Sequence, residues 1–198
     1  MRKNLWAVAV LAFASLGNVF AADTYPIDPD HSMIIFRIKH MGVGFTYGRF
    51  NQPTGTIVLD EADPSKSSVE VEVSLAKVDT NLEARDKHLK SPDFFNAEKF
   101  AKATFKSKAV KKAGDNDYEI TGDFTLLGAT KEVTVKMTKT GQGQNPMSKG
   151  TRIGFEGKLE IKRADYGMDK MLEGASNEVQ LSLTFEAEKP SAEKPAPK

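Results

Sequence analysis

The chain alternates apolar and polar side chains with a period of two along most of its length. Ile34, Phe36 and Ile38 fall on one face of a stretch that also carries Ser32 and His40, while Arg37 and Lys39 fall on the other. In 69–75, Val69, Val71, Val73 and Leu75 alternate with Glu70, Glu72 and Ser74. In 179–186, Val179, Leu181, Leu183 and Phe185 alternate with Gln180, Ser182, Thr184 and Glu186. A strand with one apolar face and one polar face belongs to antiparallel sheet that is wet on one side. Five further segments, 44–60, 103–110, 118–127, 131–140 and 152–162, read the same way with less regularity. The pattern predicts about eight strands. Turn residues at 62–65, 114–117 and 141–150 separate several of them. Short links and an even strand number predict an all-β fold: an eight-stranded antiparallel up-and-down barrel, closed so that no edge is exposed.

One segment breaks the alternation. Thr80-Asn81-Leu82-Glu83 has the form of a capping box, and 84–90 continues as helix. Ser91-Pro92-Asp93 reads as a second helical start, followed by Phe94 and Phe95. A short helical segment between strands three and four is therefore expected, placed as a lid across one barrel end.

The two ends do not share the strand pattern. Arg2 and Lys3 precede an apolar run at 5–16, and Val19 and Ala21 are small residues at signal-peptidase spacing. Residues 1–21 read as a cleaved secretory signal peptide, too short in their apolar run for a membrane span, which needs roughly 20 residues. Residues 22–188 form the expected domain, and 189–198, rich in Pro, Lys and Ala, a flexible tail. The mature protein is expected in the periplasm without an integral membrane segment. It has no Cys, so disulfides and thiolate chemistry are excluded. The net charge of +1 falls to −1 without Arg2 and Lys3, which offers no footprint for nucleic acid.

Candidate chemistry is sparse. The three histidines are His31, His40 and His88. His31 and His40 are an odd number of residues apart, which sends them to opposite faces of a continuous strand and disfavours a shared metal. No metalloprotease helix, phosphate loop or nucleophile elbow is present. Arg85, Asp86 and His88 on the helix, and Arg163 before the last hairpin, are candidates for a polar mouth or for pairs that hold the lid. Pairing is favoured because buried charges are usually paired. The inward parity set is strongly apolar, and Gly55, Gly122 and Gly157 stand where side chains would otherwise point inward. An eight-stranded barrel is either filled by side chains or holds one small ligand. Parity alone leaves both open.

Several segments are similar to those of the YceI-like family of exported, lipocalin-like polyisoprenoid-binding proteins. YPIDPDHSMIIFRIKHMG and GRFNQPTGTI resemble its first two strands, and TNLEARDKHLKSPDFF its most distinctive segment. ATFKS, GDFTLLGATKEVTV, IKRADYG and NEVQLSL follow in the family's order. Phe100-Ala101 departs from the family's usual aromatic-Pro pair before the fourth strand.

The resemblance implies a tunnel holding a long-chain isoprenoid lipid, a prenylated quinone or a prenyl phosphate, with no catalysis and no required cofactor. The expected lining is Phe36, Ile38, Phe50, Val71, Val73 and Leu82, then Phe94, Phe95, Phe105 and Phe124, then Phe155, Leu159, Tyr166, Met168 and Leu181. His40, Arg85, Asp86, His88 and Arg163 are weaker candidates for its polar mouth. Two rivals stand beside this reading: a metal-dependent enzyme using His31, His40 or His88, and a packed barrel that acts as a stress-response or interaction module. A homodimer through 168–172 is left open.

Overall fold

The computed structural model describes residues 22–191. Eleven strands form one antiparallel sheet: β1 (Asp23–Pro26), β2 (Met33–His40), β3 (Gly44–Asn51), β4 (Thr54–Leu59), β5 (Ser68–Ser74), β6 (Val78–Asp79), β7 (Lys102–Lys112), β8 (Asp117–Leu126), β9 (Ala129–Gln144), β10 (Thr151–Lys162) and β11 (Ala175–Lys189). Their spatial order is β1-β4-β5-β7-β8-β9-β10-β11-β2-β3-β6. A single α-helix, α1 (Glu83–Lys90), lies between β6 and β7 among the described residues. The leader assigned to 1–21 lies outside the described residues.

The sheet curls around one interior, and both ends of its order are tied. At one end Ile27, just past β1, bridges Ala187 of β11, and the Asp28 amide donates to the Glu186 carbonyl at 2.8 Å. At the other, β6 continues β5 after one 3-10 turn (Leu75–Lys77) and pairs with β3 through Arg49↔Asp79 and Phe50↔Val78. The Arg49 guanidinium reinforces that seam with bonds to Asp79 at 2.8 and 3.0 Å. The Asn81 amide and Arg49 together hold the Asp79 carboxyl below its usual range.

The expected eight strands are corrected to eleven, for three local reasons. β1 is four residues long, too short to show alternation. The stretch read as one strand over 44–60 is broken by Gln52, with φ at +56°, and by Pro53, which has no amide to donate to a ladder. β6 has only two residues. Elsewhere the alternation holds. In β5, Val71 and Val73 are buried between exposed Glu70 and Glu72. In β11, Val179, Leu181 and Phe185 are buried. β9 runs on to Gln144, so the link placed at 141–150 is confined to 145–150. β11 includes Lys189, which pairs with Thr151, so the fold extends one residue beyond the expected boundary.

The three inward glycines do not open space. A Cβ on Gly122 would lie 2.7 Å from the Phe105 ring and 2.4 Å from the Lys106 carbonyl oxygen. One on Gly157 would lie 2.2 Å from the Met137 sulfur. Larger neighbours have taken those volumes. Gly55 has φ at +148°, and a Cβ there would strike the Glu70 carbonyl, so it marks a bend in β4.

Candidate binding cavity

The inward faces of β4, β5, β7, β8, β9, β10 and β11 surround a deep chamber of about 100 Å³. Ile57, Val71, Phe105, Ile120, Val135 and Phe155 contribute to its wall, and its surface is almost wholly hydrocarbon. Ser67 and Thr104 are its small polar exceptions, and the Ser67 hydroxyl accepts from the Asp60 amide at 2.9 Å. An outer chamber of about 280 Å³ abuts it beneath α1 and the following turns. Ile34, Val73, Ala103, Phe124 and Leu181 line both chambers and form the waist between them.

The sequence places α1 over the outer chamber through one threonine. Thr80 is buried, directly after β6, and its backbone amide donates to Asp86 Oδ1 at 2.8 Å. Its hydroxyl donates to the same oxygen. Arg85 returns the contact: Nε donates to Thr80 Oγ1 and Nη2 to the Thr80 carbonyl, each at 2.8 Å. Thr80 is therefore not the expected helix cap. The first helical residue is Glu83, and Leu82 before it has extended backbone and makes no side-chain cap. The Thr80 hydroxyl serves the first turns of α1 by holding Asp86 instead. The second helical start at Ser91 is realised only as turns. The Phe95 amide donates to the Leu89 carbonyl at 2.9 Å, and these turns bring Phe94 and Phe95 to the outer chamber. Phe95 meets Phe50 edge-on at 5.3 Å between ring centroids.

The titratable residues lining the outer chamber are His40, Arg85, His88 and Arg163, with no carboxylate among its lining residues. Arg163 is 2% exposed. Its guanidinium donates to the carbonyls of Ser176, Met168 and Ala175 at 2.9, 3.0 and 2.9 Å. These bonds tie the turn after β10 to the start of β11. Burial lowers the Arg163 pKa from its ordinary value, against the opposing pull of Asp169. His88 lies against the Phe94 ring, 5.0 Å between centroids, with Nε2 3.2 Å from Asp93.

Most of the expected lining residues come together. Val71, Phe105, Phe155 and Leu159 line the deep chamber. Phe36, Ile38, Phe50, Phe94, Phe95 and Met168 line the outer one. Val73, Phe124 and Leu181 are at the waist. Two of the expected lining residues, Leu82 and Tyr166, and one mouth candidate, Asp86, do not line either chamber. Leu82 is 52% exposed, because it precedes the helix rather than sharing its inner face. Tyr166 is buried behind the wall, its ring edge-on to Phe124 at 5.3 Å. Asp86 is occupied by Thr80. Residues absent from the expected set include Ile57, Val69, Ile120, Val135 and Met137, all in the deep wall. Their parity marked them as inward, but parity does not separate a wall residue from a packed one. Met171 and Ala175, in an irregular loop and at its junction with β11, carry no such signal.

The histidines do not converge. His40 and His88 line the outer chamber, whereas His31 lies in a 3-10 turn (Pro29–His31) outside β2. Among the described residues, Asp28, His31 and Glu186 bring three possible ligand atoms within 4.8 Å of one another. Arg152 already supplies the positive charge there, 3.0 Å from Asp28 and 2.8 Å from Glu186. That donor set fits an ion-pair cluster around a guanidinium better than a vacant metal site.

Comparison with known proteins agrees with this architecture. The YceI-like domain matches residues 25–187. A UPF0312 protein of Pseudomonas aeruginosa strain LESB58 is 46% identical over 189 residues, covering 94% of this chain and 97% of that protein. Protein YceI of Escherichia coli O17:K52:H18 is 44% identical over 192 residues, covering 94% and 97% respectively. The crystal structure of Burkholderia cenocepacia BcnA is similar with a TM-score of 0.73 and 28% identity, covering 81% of this chain and 99% of that one. A polyisoprenoid binding domain from Saccharophagus degradans shares the fold with a TM-score of 0.66 at 17% identity, covering 84% and 98%. With the family matched across nearly the whole curled sheet and its cavity, the chain belongs to the YceI-like family.

Proposed function

We propose that this protein is a periplasmic carrier or reservoir for a long-chain isoprenoid lipid, exported by a cleaved signal peptide and held in a lipocalin-like barrel. The observation that carries the reading is the pair of abutting chambers, the deep one almost wholly hydrocarbon-walled and the outer one edged by the cationic side chains of Arg85 and Arg163. Each methylene moved from water into such a wall contributes about 0.8 kcal/mol, so a long chain binds without polar contacts along its length. The prenyl tail occupies the deep chamber and passes the waist at Phe124. The head group remains in the outer chamber beside His40, Arg85, His88 and Arg163. These groups donate hydrogen bonds, which suits a quinone carbonyl or a phosphate. The outer chamber approaches the lower end of the roughly 300–1,000 Å³ typical of small-molecule sites.

Family membership and the fold shared with a polyisoprenoid binding domain support a binding role over a catalytic one. No reaction and no required cofactor are part of the proposal. The test is native mass spectrometry of protein isolated from its own host, followed by solvent extraction. A non-covalent lipid with a repeating five-carbon chain is expected. Phe105→Asp places a carboxylate in the hydrocarbon wall and should abolish lipid retention. Delipidated wild-type protein that takes up no prenylated quinone or prenyl phosphate would end the proposal.

A further inference from the structure

Large apolar side chains are exposed at one end of the molecule, at the opening of the outer chamber. Eight such residues are exposed among the described residues, and six of them fall in two segments. Met41, Val43, Phe45 and Tyr47 are on the β2–β3 hairpin, and Met171 and Leu172 are on the loop before β11. One hydrogen bond joins the segments: the Met41 amide donates to the Gly174 carbonyl at 2.8 Å. Both segments also reach the chamber, since His40 and Met171 line it. Scattered exposed hydrophobes are ordinary, whereas a contiguous group at the mouth of an apolar chamber marks a contact surface.

The charges around the group indicate what covers it. From Met33 to Leu59 the chain carries Arg37, Lys39 and Arg49 and no carboxylate, and because Arg49 is paired with Asp79 at 2.8 Å, Arg37 and Lys39 are the cations beside the tip. Arg37 and Lys39 stand opposite Tyr47 and Phe45 in the β2–β3 register, on the outward face. The Arg37 guanidinium lies 3.5 Å from the Phe45 ring centroid. The neighbouring loop adds Asp169, Lys170 and Glu173, so the cationic character belongs to the hairpin. Val43 is 90% exposed at the tip. An apolar tip backed by aromatic rings and flanked by Arg and Lys matches the interface of an anionic bilayer. There the apolar side chains enter the acyl boundary and the cations meet phosphate oxygens.

We infer that the β2–β3 hairpin and the 171–172 loop form a docking surface for an anionic phospholipid bilayer, which seats the mouth of the outer chamber on the membrane. Its purpose rests on the carrier reading, because a ligand then passes between bilayer and chamber without crossing water. The docking itself is separable from the ligand.

Flotation of the full mature chain with vesicles of phosphatidylglycerol and phosphatidylethanolamine tests it. Wild-type protein should float, and less of it at high salt. Val43→Glu should weaken partitioning about tenfold, the equivalent of withdrawing one valine from an apolar phase. Lys39→Glu should weaken it more in low salt than in high. Met147→Glu alters an equally exposed residue in the β9–β10 link, at the far end of β10, and should change nothing. Wild-type protein that stays with the solution, or a Val43→Glu variant that floats as well as wild type, overturns the proposal. So does a self-association in sedimentation that Val43→Glu abolishes while vesicles go unbound, since a second copy then covers the face. Lipid content is read in parallel by mass spectrometry. Lipid-loaded protein that ignores vesicles sinks the docking alone, and vesicle binding by protein that takes up no isoprenoid sinks the carrier reading alone.

Discussion

At the scale of single residues, buried polar groups place the site more sharply than the apolar wall does. Arg163 is the clearest case. It satisfies three main-chain carbonyls, one in the loop that closes the outer chamber and two at the start of β11, and a non-polar replacement leaves all three without that donor. Each buried carbonyl left unpaired costs about 1–3 kcal/mol. Arg163→Met should therefore lower the thermal midpoint markedly and raise amide exchange at 168–176, as read by hydrogen-exchange mass spectrometry. Phe155 illustrates the apolar wall. It is 6% exposed, lines the deep chamber and meets the Tyr118 ring edge-on at 6.1 Å. Phe155→Ala should cost about 3–5 kcal/mol in chemical denaturation. If the deep chamber holds a chain tail, added ligand should recover part of that loss by filling the enlarged space. Parity in the sequence identified Phe155 as inward. Nothing in the sequence identified the carbonyl partners of Arg163, because one comes from the irregular loop at Met168 and the others, Ala175 and Ser176, from the start of β11, ahead of its register shift and outside the alternating stretch.

At the scale of elements, α1 is held by a two-residue clasp more than by its own face. No residue of α1 is fully buried and only Leu89 among its apolar side chains packs against the core, so its position rests chiefly on Asp86 and Arg85 reaching Thr80. Asp86→Ala should leave the sheet folded, release the helix and speed ligand exchange. Faster amide exchange confined to 80–97, with an unchanged β-sheet circular dichroism spectrum, is the expected result. A second polar cluster holds the opposite end of the strands. Glu188 accepts from Ser148, from Asn145 at 2.7 Å and from Arg152 at 2.9 Å, and these bonds hold its carboxyl below the usual value of 4.5. A depressed carboxylate stabilises the folded state fully above its unfolded pKa, and the contribution disappears as pH falls through the folded one. The thermal midpoint should therefore fall as pH drops below about 4.5, and Glu188→Gln should flatten that acid limb. An acid limb unchanged in the variant would assign the transition to other carboxylates, with Asp79 at the β3–β6 seam the next to examine.

At the scale of the whole molecule, a curled sheet with both ends tied leaves an interior that its side chains do not fill. The long strands β7 to β11 span ten residues or more, and although register shifts at Ser107–Ala109, Gly154–Phe155 and Ala175–Val179 interrupt their alternation, their inward faces and approximate spans were legible in the sequence. The strand number was not. β1, the β3–β4 break and β6 are short, and their pairing is set by partners distant in sequence: β1 by Val58 and Leu59 of β4, β6 by Arg49 and Phe50 of β3. A two-residue strand has no period to detect.

The division between sequence and tertiary structure follows from the range of the forces involved. Alternation, turn residues and the helical interruption act locally, and from them alone came the antiparallel all-β class, the inward faces and the place of the helix along the chain. Whether those inward faces meet or stand apart depends on the curvature of the whole sheet and on volumes supplied across it. Gly122 and Gly157 show this most directly. By position they promised empty space, yet Phe105 and Met137 fill it from neighbouring strands, while the chambers open elsewhere, on both sides of Phe124. A cavity is a property of distances between elements, and a single chain read in order carries no record of those distances until the sheet has curled.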